Sequence, residues 1–166
     1  MAVASGQMAV HAREKDLVLG IDPGRDKTGF AFTDMAGGLV MSGIFPTDET
    51  EKFFADLTPY VIEGDISFAD GIMSRVKFIV IGNGTTGRAF TERVRKIVGH
   101  EIITVDERNT TLEARSLYWR LHRPGIFVRL LPEGMRVPPR VIDDLAAWAV
   151  ALRGLKEYRD IRGNKL

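Results

Sequence analysis

The 166-residue chain contains no cysteine. Disulfides, thiolate nucleophiles and cysteine zinc sites are therefore excluded. Its three histidines, His11, His100 and His122, lie far apart, and none pairs with another at metal-ligand spacing. A surplus of one charge is also lacking. Lys and Arg number 23 against 22 Asp and Glu, for a net charge of +1, so the chain as a whole does not announce a polyanion partner. No apolar run approaches the roughly 20 residues needed to cross a bilayer. The N-terminal stretch MAVASGQMAVHAREKD has no cationic lead followed by a long apolar core, so it does not read as a signal peptide. These absences lead us to expect a cytoplasmic protein with no membrane partner. Residues 1–15 read as a mobile tail with a second start at Met8, residues 16–158 as one domain, and residues 159–166 as a C-terminal tail.

Charge that is balanced overall is uneven locally. Arg108, Arg115, Arg120, Arg123, Arg129, Arg136 and Arg140 face only Glu113 and Glu133 over the same stretch. Such a surplus suits a groove for phosphates, with Trp119, His122 or Phe127 stacking on an unpaired base. A solvated face is the plainer reading of the same residues.

Apolar runs rich in β-formers predict strands at Leu17–Ile21, Phe30–Asp34 and Leu39–Phe45. Short turns at DPGRDKTG and AGG make these an antiparallel meander. ETEKFFADLTPYVIEG carries Phe53, Leu57 and Val61 at helical spacing, with Pro59 interrupting it. VKFIVIG predicts a central strand buried on both faces. A helix over RAFTERVRKIVG, a fifth strand at EIITV and a helix over TTLEARSLYWRLH follow, the last with a Thr110–Glu113 capping box. RPGIFVRLLPEGMRVPP reads as a long loop. The final helix, RVIDDLAAWAVALRGLKEY, carries Val141, Leu145, Trp148, Leu152 and Leu155 as its core stripe.

Gly82, Gly84 and Gly87 spell G-x-G-x-x-G before a helix, and Asp106 follows at about the ribose-binding spacing of a dinucleotide fold. The element order argues against that fold. A meander precedes the glycines, and no strand with a crossover helix follows Asp106. Three antiparallel strands joined to two parallel ones, flanked by helices, is instead a ribonuclease H-like α/β arrangement with a mixed five-stranded sheet.

That arrangement brings three acids towards one sheet edge. Asp22 ends the first strand, Glu107 ends the fifth, and Asp143 sits in the first turn of the last helix. Carboxylate oxygens are the ligands that Mg²⁺ and Mn²⁺ prefer, and two such ions support phosphodiester hydrolysis. Gly82 and Gly84 let the backbone pass close to that edge. Asn83, Thr85 and Thr86 offer donors for a substrate phosphate. Each acid also has a plainer reading as a turn or helix-terminus residue, and only their conjunction points to a metal site. Asp106 and Asp144 stand as second-shell acids or plain surface charges. Asp144 would point about 100° away from its neighbour on the helix.

LGIDPGRDKTGFAFTD, FIVIGNGTTGR, TVDERNTTLEA and VIDDLAAWAVAL together resemble the YqgF family, a RuvC-like family linked to Holliday junction resolution and to pre-16S rRNA maturation. The resemblance spans Leu17 to about Tyr158. It implies a ribonuclease H-like fold and a nuclease using Mg²⁺ or Mn²⁺, with two ions expected. The catalytic and metal-binding roles fall on Asp22, Glu107 and Asp143, and substrate contacts on Gly82, Asn83, Gly84, Thr85, Thr86, Arg108, Arg123 and Arg129. The implied partner is pre-rRNA or branched DNA, bound by a monomer or homodimer. Two positions depart from the pattern. Many members carry Gly-Leu-Pro where this chain has Gly82-Asn83-Gly84-Thr85-Thr86, a variant closer to the YqgF-type domain of Tex-like transcription factors. RuvC has a further acid where this chain has Arg140.

Two other readings compete. One is a module of the same fold that binds nucleic acid without cutting it. The other is an ATP-binding fragment of the actin and sugar-kinase type, which also opens on an Asp-x-Gly hairpin. That type needs two related domains around the nucleotide.

Overall fold

Apolar, β-branched and aromatic residues drive the chain into strands where the sequence predicts them. The computed structural model describes residues 16–163, so the tail expected over residues 1–15 lies outside the described residues. The first three strands are β1 (Leu17–Pro23), β2 (Lys27–Asp34) and β3 (Leu39–Pro46). A short helix, α1 (Thr50–Ala55), leads to a 3₁₀ turn and strand β4 (Val61–Gly64). Then come β5 (Val76–Gly82), α2 (Gly87–Ile97), β6 (Glu101–Val105) and α3 (Thr110–Leu121). A short helix, α4 (Ile126–Arg129), and the long α5 (Asp143–Gly163) complete the chain.

The sheet has six strands in the order β4-β3-β2-β1-β5-β6, not the five expected. Strands β1 to β4 pair antiparallel with one another, and β5 and β6 lie parallel to β1. The sixth strand comes from the segment read as a broken helix. Pro59 sits in the 3₁₀ turn, where its missing N–H is harmless. Val61 and Ile62 then extend against the free edge of β3.

Three further expectations change at element ends. No capping box forms at α3. Asn109 caps it in the left-handed conformation, and the Thr110 hydroxyl donates to the Glu107 carbonyl at 2.8 Å. The loop after α3 contains α4 and a 3₁₀ turn at Glu133–Met135. The last helix starts at Asp143, which leaves Val141 outside the core, and it continues through residues 159–163, which were expected in the tail.

The sheet's two faces are packed differently. Leu17, Leu19, Ile21, Phe30, Phe32 and Phe45 form the larger core with Phe53 of α1 and Phe90 and Val94 of α2. On the other face, α5 crosses the sheet and is covered in turn by α3. Leu145 to Ala151 are all buried, since that part of the helix has neighbours on both sides.

Small residues set how close α5 comes. A Cβ on Gly20 would overlap the Ala147 carbonyl and stand 2.6 Å from the Ala151 Cβ. One on Gly29 would overlap the Asp143 backbone, and one on Gly154 would press into Val80. Gly20→Ala is expected to lower stability by about 1–3 kcal/mol, because backbone rather than a flexible side chain must give way. The check is the urea midpoint at unchanged slope. A midpoint equal to wild type would show that α5 does not rest on this glycine.

Candidate active site

Asp22, at the end of β1, projects to the α5 side of the sheet, the same side as Gly20. Its direct partner on β2 is Gly29, and over Gly29 lies the Asp143 backbone. The neighbouring parallel strand β5 ends at Gly82, which pairs with Val105 of β6. Glu107 follows two residues later. The ends of three adjacent parallel strands and the start of α5 therefore meet at one edge. Asp22 comes close enough to Glu107 and to Asp143 for both charges to act on it. Among the described residues, no three His, Cys, Asp or Glu side chains form a ready-made metal-ligand group.

The electrostatics follow from this crowding. Burial, then the Glu107 charge and its hydrogen bond, then Asp143, push the Asp22 carboxyl up to about 7. Burial also raises Asp143, an effect reinforced by Asp144 and opposed by Lys27. Glu107 Oε2 is buried with no donor.

The glycine loop has its explanation in Glu107. A Cβ on Gly84 would overlap the Glu107 carboxylate, and one on Gly82 would stand 2.5 Å from Oε2. The Asn83 N–H donates to the Val105 carbonyl at 2.9 Å, and the Thr86 hydroxyl to the Pro23 carbonyl at 2.8 Å. These two expected phosphate donors instead tie the loop to β6 and β1. Thr85 and the Asn83 side chain remain exposed.

Asp144 is neither a surface charge nor part of the carboxylate edge. It is fully buried and accepts from Ser42 Oγ at 2.7 Å and from Arg140 at 2.8 and 3.1 Å. Arg140 also donates to Glu63 at 2.9 Å, and His122 meets the same Glu63 oxygen at 2.7 Å. The sheet register makes this network possible. Gly20 pairs with Ala31, Ala31 with Ser42, and Ser42 with Glu63, a row that runs beneath the start of α5. A buried carboxylate needs such partners, and here they anchor the residue next to Asp143. Ser42 and Glu63 carried no sequence signal, since their role depends on the unforeseen β4.

Asp106 is exposed and accepts from the Arg108 backbone and side chain at 2.9 and 2.7 Å, which holds its carboxyl below the usual range. Arg108 is therefore paired within its own turn. Arg153, which the sequence did not single out, donates to the Asp106 and Arg108 carbonyls and to Glu113, fastening the Glu107 loop to α5. Arg123 and Arg129 are exposed, and neither guanidinium has an ion-pair or hydrogen-bond partner among the described residues. Of the three candidate stacking rings, His122 packs on Tyr118, Phe127 is largely exposed, and Trp119 is half-buried.

No protein-family model matches the chain, and no curated protein matches it. Among solved structures, a ROK family transcriptional regulator, a homologue of E. coli MLC protein, is similar at a TM-score of 0.39 and 14% identity, over 64% of this chain and 31% of that one. At that level the likeness says nothing about fold or activity.

The Asp22 shift has a definite sign. Its folded-state value is raised above the ordinary 3.8, so the carboxyl costs nothing below that value and its cost grows as pH rises to about 7. Asp22→Asn keeps the shape and removes the charge. It is expected to stabilise the fold at pH 8 by about 1–3 kcal/mol more than at pH 5. Denaturant midpoints of both proteins at both pH values measure this, and equal gains would place Asp22 outside a carboxylate cluster.

Proposed function

We propose that the chain is a divalent-metal-dependent nuclease with a ribonuclease H-like core, hydrolysing phosphodiester bonds in structured nucleic acid. The observation that carries this reading is the half-buried Asp22–Glu107 carboxyl pair, with Asp143 close enough to act on Asp22. The strand order β3-β2-β1-β5-β6, antiparallel and then parallel, supports the ribonuclease H comparison, with β4 added at the far edge.

The residues present fit a hard cation. Their donors are all carboxylate oxygens. Glu107 Oε2 is buried without a partner, which is costly unless a proton or cation supplies what is missing. Asp22, Glu107 and Asp143 would hold Mg²⁺ or Mn²⁺, as a pair of ions, to supply an activated water and stabilisation of the leaving oxygen. Around them, Gly82 and Gly84 leave room for the Glu107 carboxylate, and Arg153 fixes its loop. Arg140 and Asp144 hold the first turn of α5. Lys27 places a positive charge near Asp143, where a substrate phosphate would arrive. Maturation of the 5′ end of pre-16S rRNA, or cleavage of branched DNA, is the role that the resemblance implies.

A second reading is binding without cleavage, as in the Tex-type domain. It is favoured by the Gly82-Asn83-Gly84-Thr85-Thr86 stretch, which is closer to that domain than the Gly-Leu-Pro of many YqgF members.

The deciding experiment offers a 5′-extended pre-16S rRNA with Mn²⁺ to wild type and Asp22→Asn. Wild type should trim the extension. The variant should be slower by about 100-fold or more, the scale of losing one charge-stabilising group in a transition state. Equal cutting by both would remove Asp22 from the site. Binding by both without cutting would give the binding module the lead, once a four-way DNA junction has also been tried.

Arg123 and Arg129 provide a separate check. Replacing both with Gln should reduce the slope of log affinity against log salt by about 1–2, since each arginine would neutralise one phosphate. An unchanged slope would show that they face solvent only.

A further inference from the structure

Between α3 and the segment after it lies a cavity of about 280 Å³ that the carboxylate edge does not use. Leu112, Arg115, Trp119 and Arg120 of α3 form one side, and Glu133 and Arg136 close the other. Three features give it a chemical identity. First, neither Arg115 nor Arg120 has a carboxylate or hydrogen-bond partner among the described residues, although eight lysine or arginine ion pairs occur elsewhere in them. Second, the Trp119 indole is held in place. Its Nε1 donates to the Arg136 carbonyl at 3.1 Å, and its ring meets Tyr118 edge-on at 4.9 Å. Third, the far wall is fastened. Arg136 donates to the Leu131 and Arg129 carbonyls at 2.9 and 3.2 Å, so the loop is closed by hydrogen bonds rather than left to fold over the cavity.

We propose that this cavity is a subsite for an unpaired nucleotide of the substrate strand, with the base against Trp119 and the flanking phosphates on Arg115 and Arg120. An aromatic wall flanked by unpaired guanidinium groups matches a π-face attached to a phosphate chain. Glu133 is the one acid in the lining, and it leaves the cavity with a surplus of positive charge. Its carboxylate is also an acceptor for the exocyclic amino group of a base. The cavity is within reach of the carboxylate edge. α3 begins three residues after Glu107, and its rise of about 1.5 Å per residue puts Arg115 about 8 Å beyond that start, a few nucleotides along a strand. The inference rests on nucleic acid being the partner, as proposed above. It adds that the enzyme grips single-stranded nucleotides next to the bond it cuts, and so favours substrates with an unpaired extension.

The test separates this subsite from the nuclease reading by measuring binding without metal in Asp22→Asn. The probes are a labelled uridine hexamer, an abasic hexamer with the same phosphates, and the uridine hexamer within a blunt duplex. The single strand should quench tryptophan fluorescence and bind about 5- to 100-fold more tightly than the abasic strand, the range of one stacked base. Replacing Arg115 and Arg120 with Gln should weaken the hexamer about 10-fold at low salt and flatten its salt slope. Trp119→Leu should abolish the preference over the abasic strand, and Trp119→Phe should restore it, which a merely structural role for the ring would not do. Equal affinity for hexamer and abasic strand, equal displacement by an acidic peptide of matched charge, or tighter binding of the duplex would overturn the subsite. So would unchanged hexamer binding by the double arginine variant. If the hexamer binds as expected but wild type with Mn²⁺ cuts nothing, the subsite stands and the nuclease reading falls.

Discussion

The close seating of α5 on the sheet is the constraint from which the rest follows. A helix normally stands off a sheet by the thickness of its side chains. Here Gly20 and Gly29 on the strands face Ala147, Ala151 and the Asp143 backbone on the helix. With so little between them, the first turn of α5 comes down beside Asp22. A larger residue at either glycine would lift the helix and carry Asp143 away. Packing and chemistry are thus the same contact seen from two sides.

Crowding acids in this way is unfavourable for the fold. The structure contains the cost by separating the acids according to role. Asp144 receives a full set of donors from Ser42 and Arg140, which settles its charge inside the core. Asp106 is satisfied by its own turn through Arg108. Asp22 and Glu107 are left without such donors, and the strain shows in the raised Asp22 carboxyl and the unpartnered Glu107 oxygen. Arginines are supplied to the neighbouring acids and not to these two, and that contrast is what the proposed metal site rests on.

The glycine motif shows how a local pattern misleads without its surroundings. G-x-G-x-x-G followed by an acid suggests a nucleotide phosphate on the loop. The loop's Asn83 N–H and Thr86 hydroxyl are bonded to the ends of β6 and β1, and its glycines clear space for a carboxylate. The residue type was informative, since only glycine tolerates so close an approach. What approaches could not be read from the motif.

By itself, the sequence determined the five principal strands, the α2, α3 and α5 helices and the candidate acids Asp22, Glu107 and Asp143, because apolar periodicity and turn residues act locally. It also placed Asp143 in a first helical turn. Tertiary structure alone decided what depends on partners distant in the chain. The edge strand β4 exists because β3 offers an unpaired edge, and Pro59 only delays it. Asp144 became a core residue through Ser42, which lies 102 positions away in sequence. Arg153 became the clamp of the Glu107 loop, and Trp119 rather than His122 or Phe127 became the ring beside the arginine-lined cavity. These are matters of register and close approach, and they arise only when strands pair and α5 settles on the glycines beneath it.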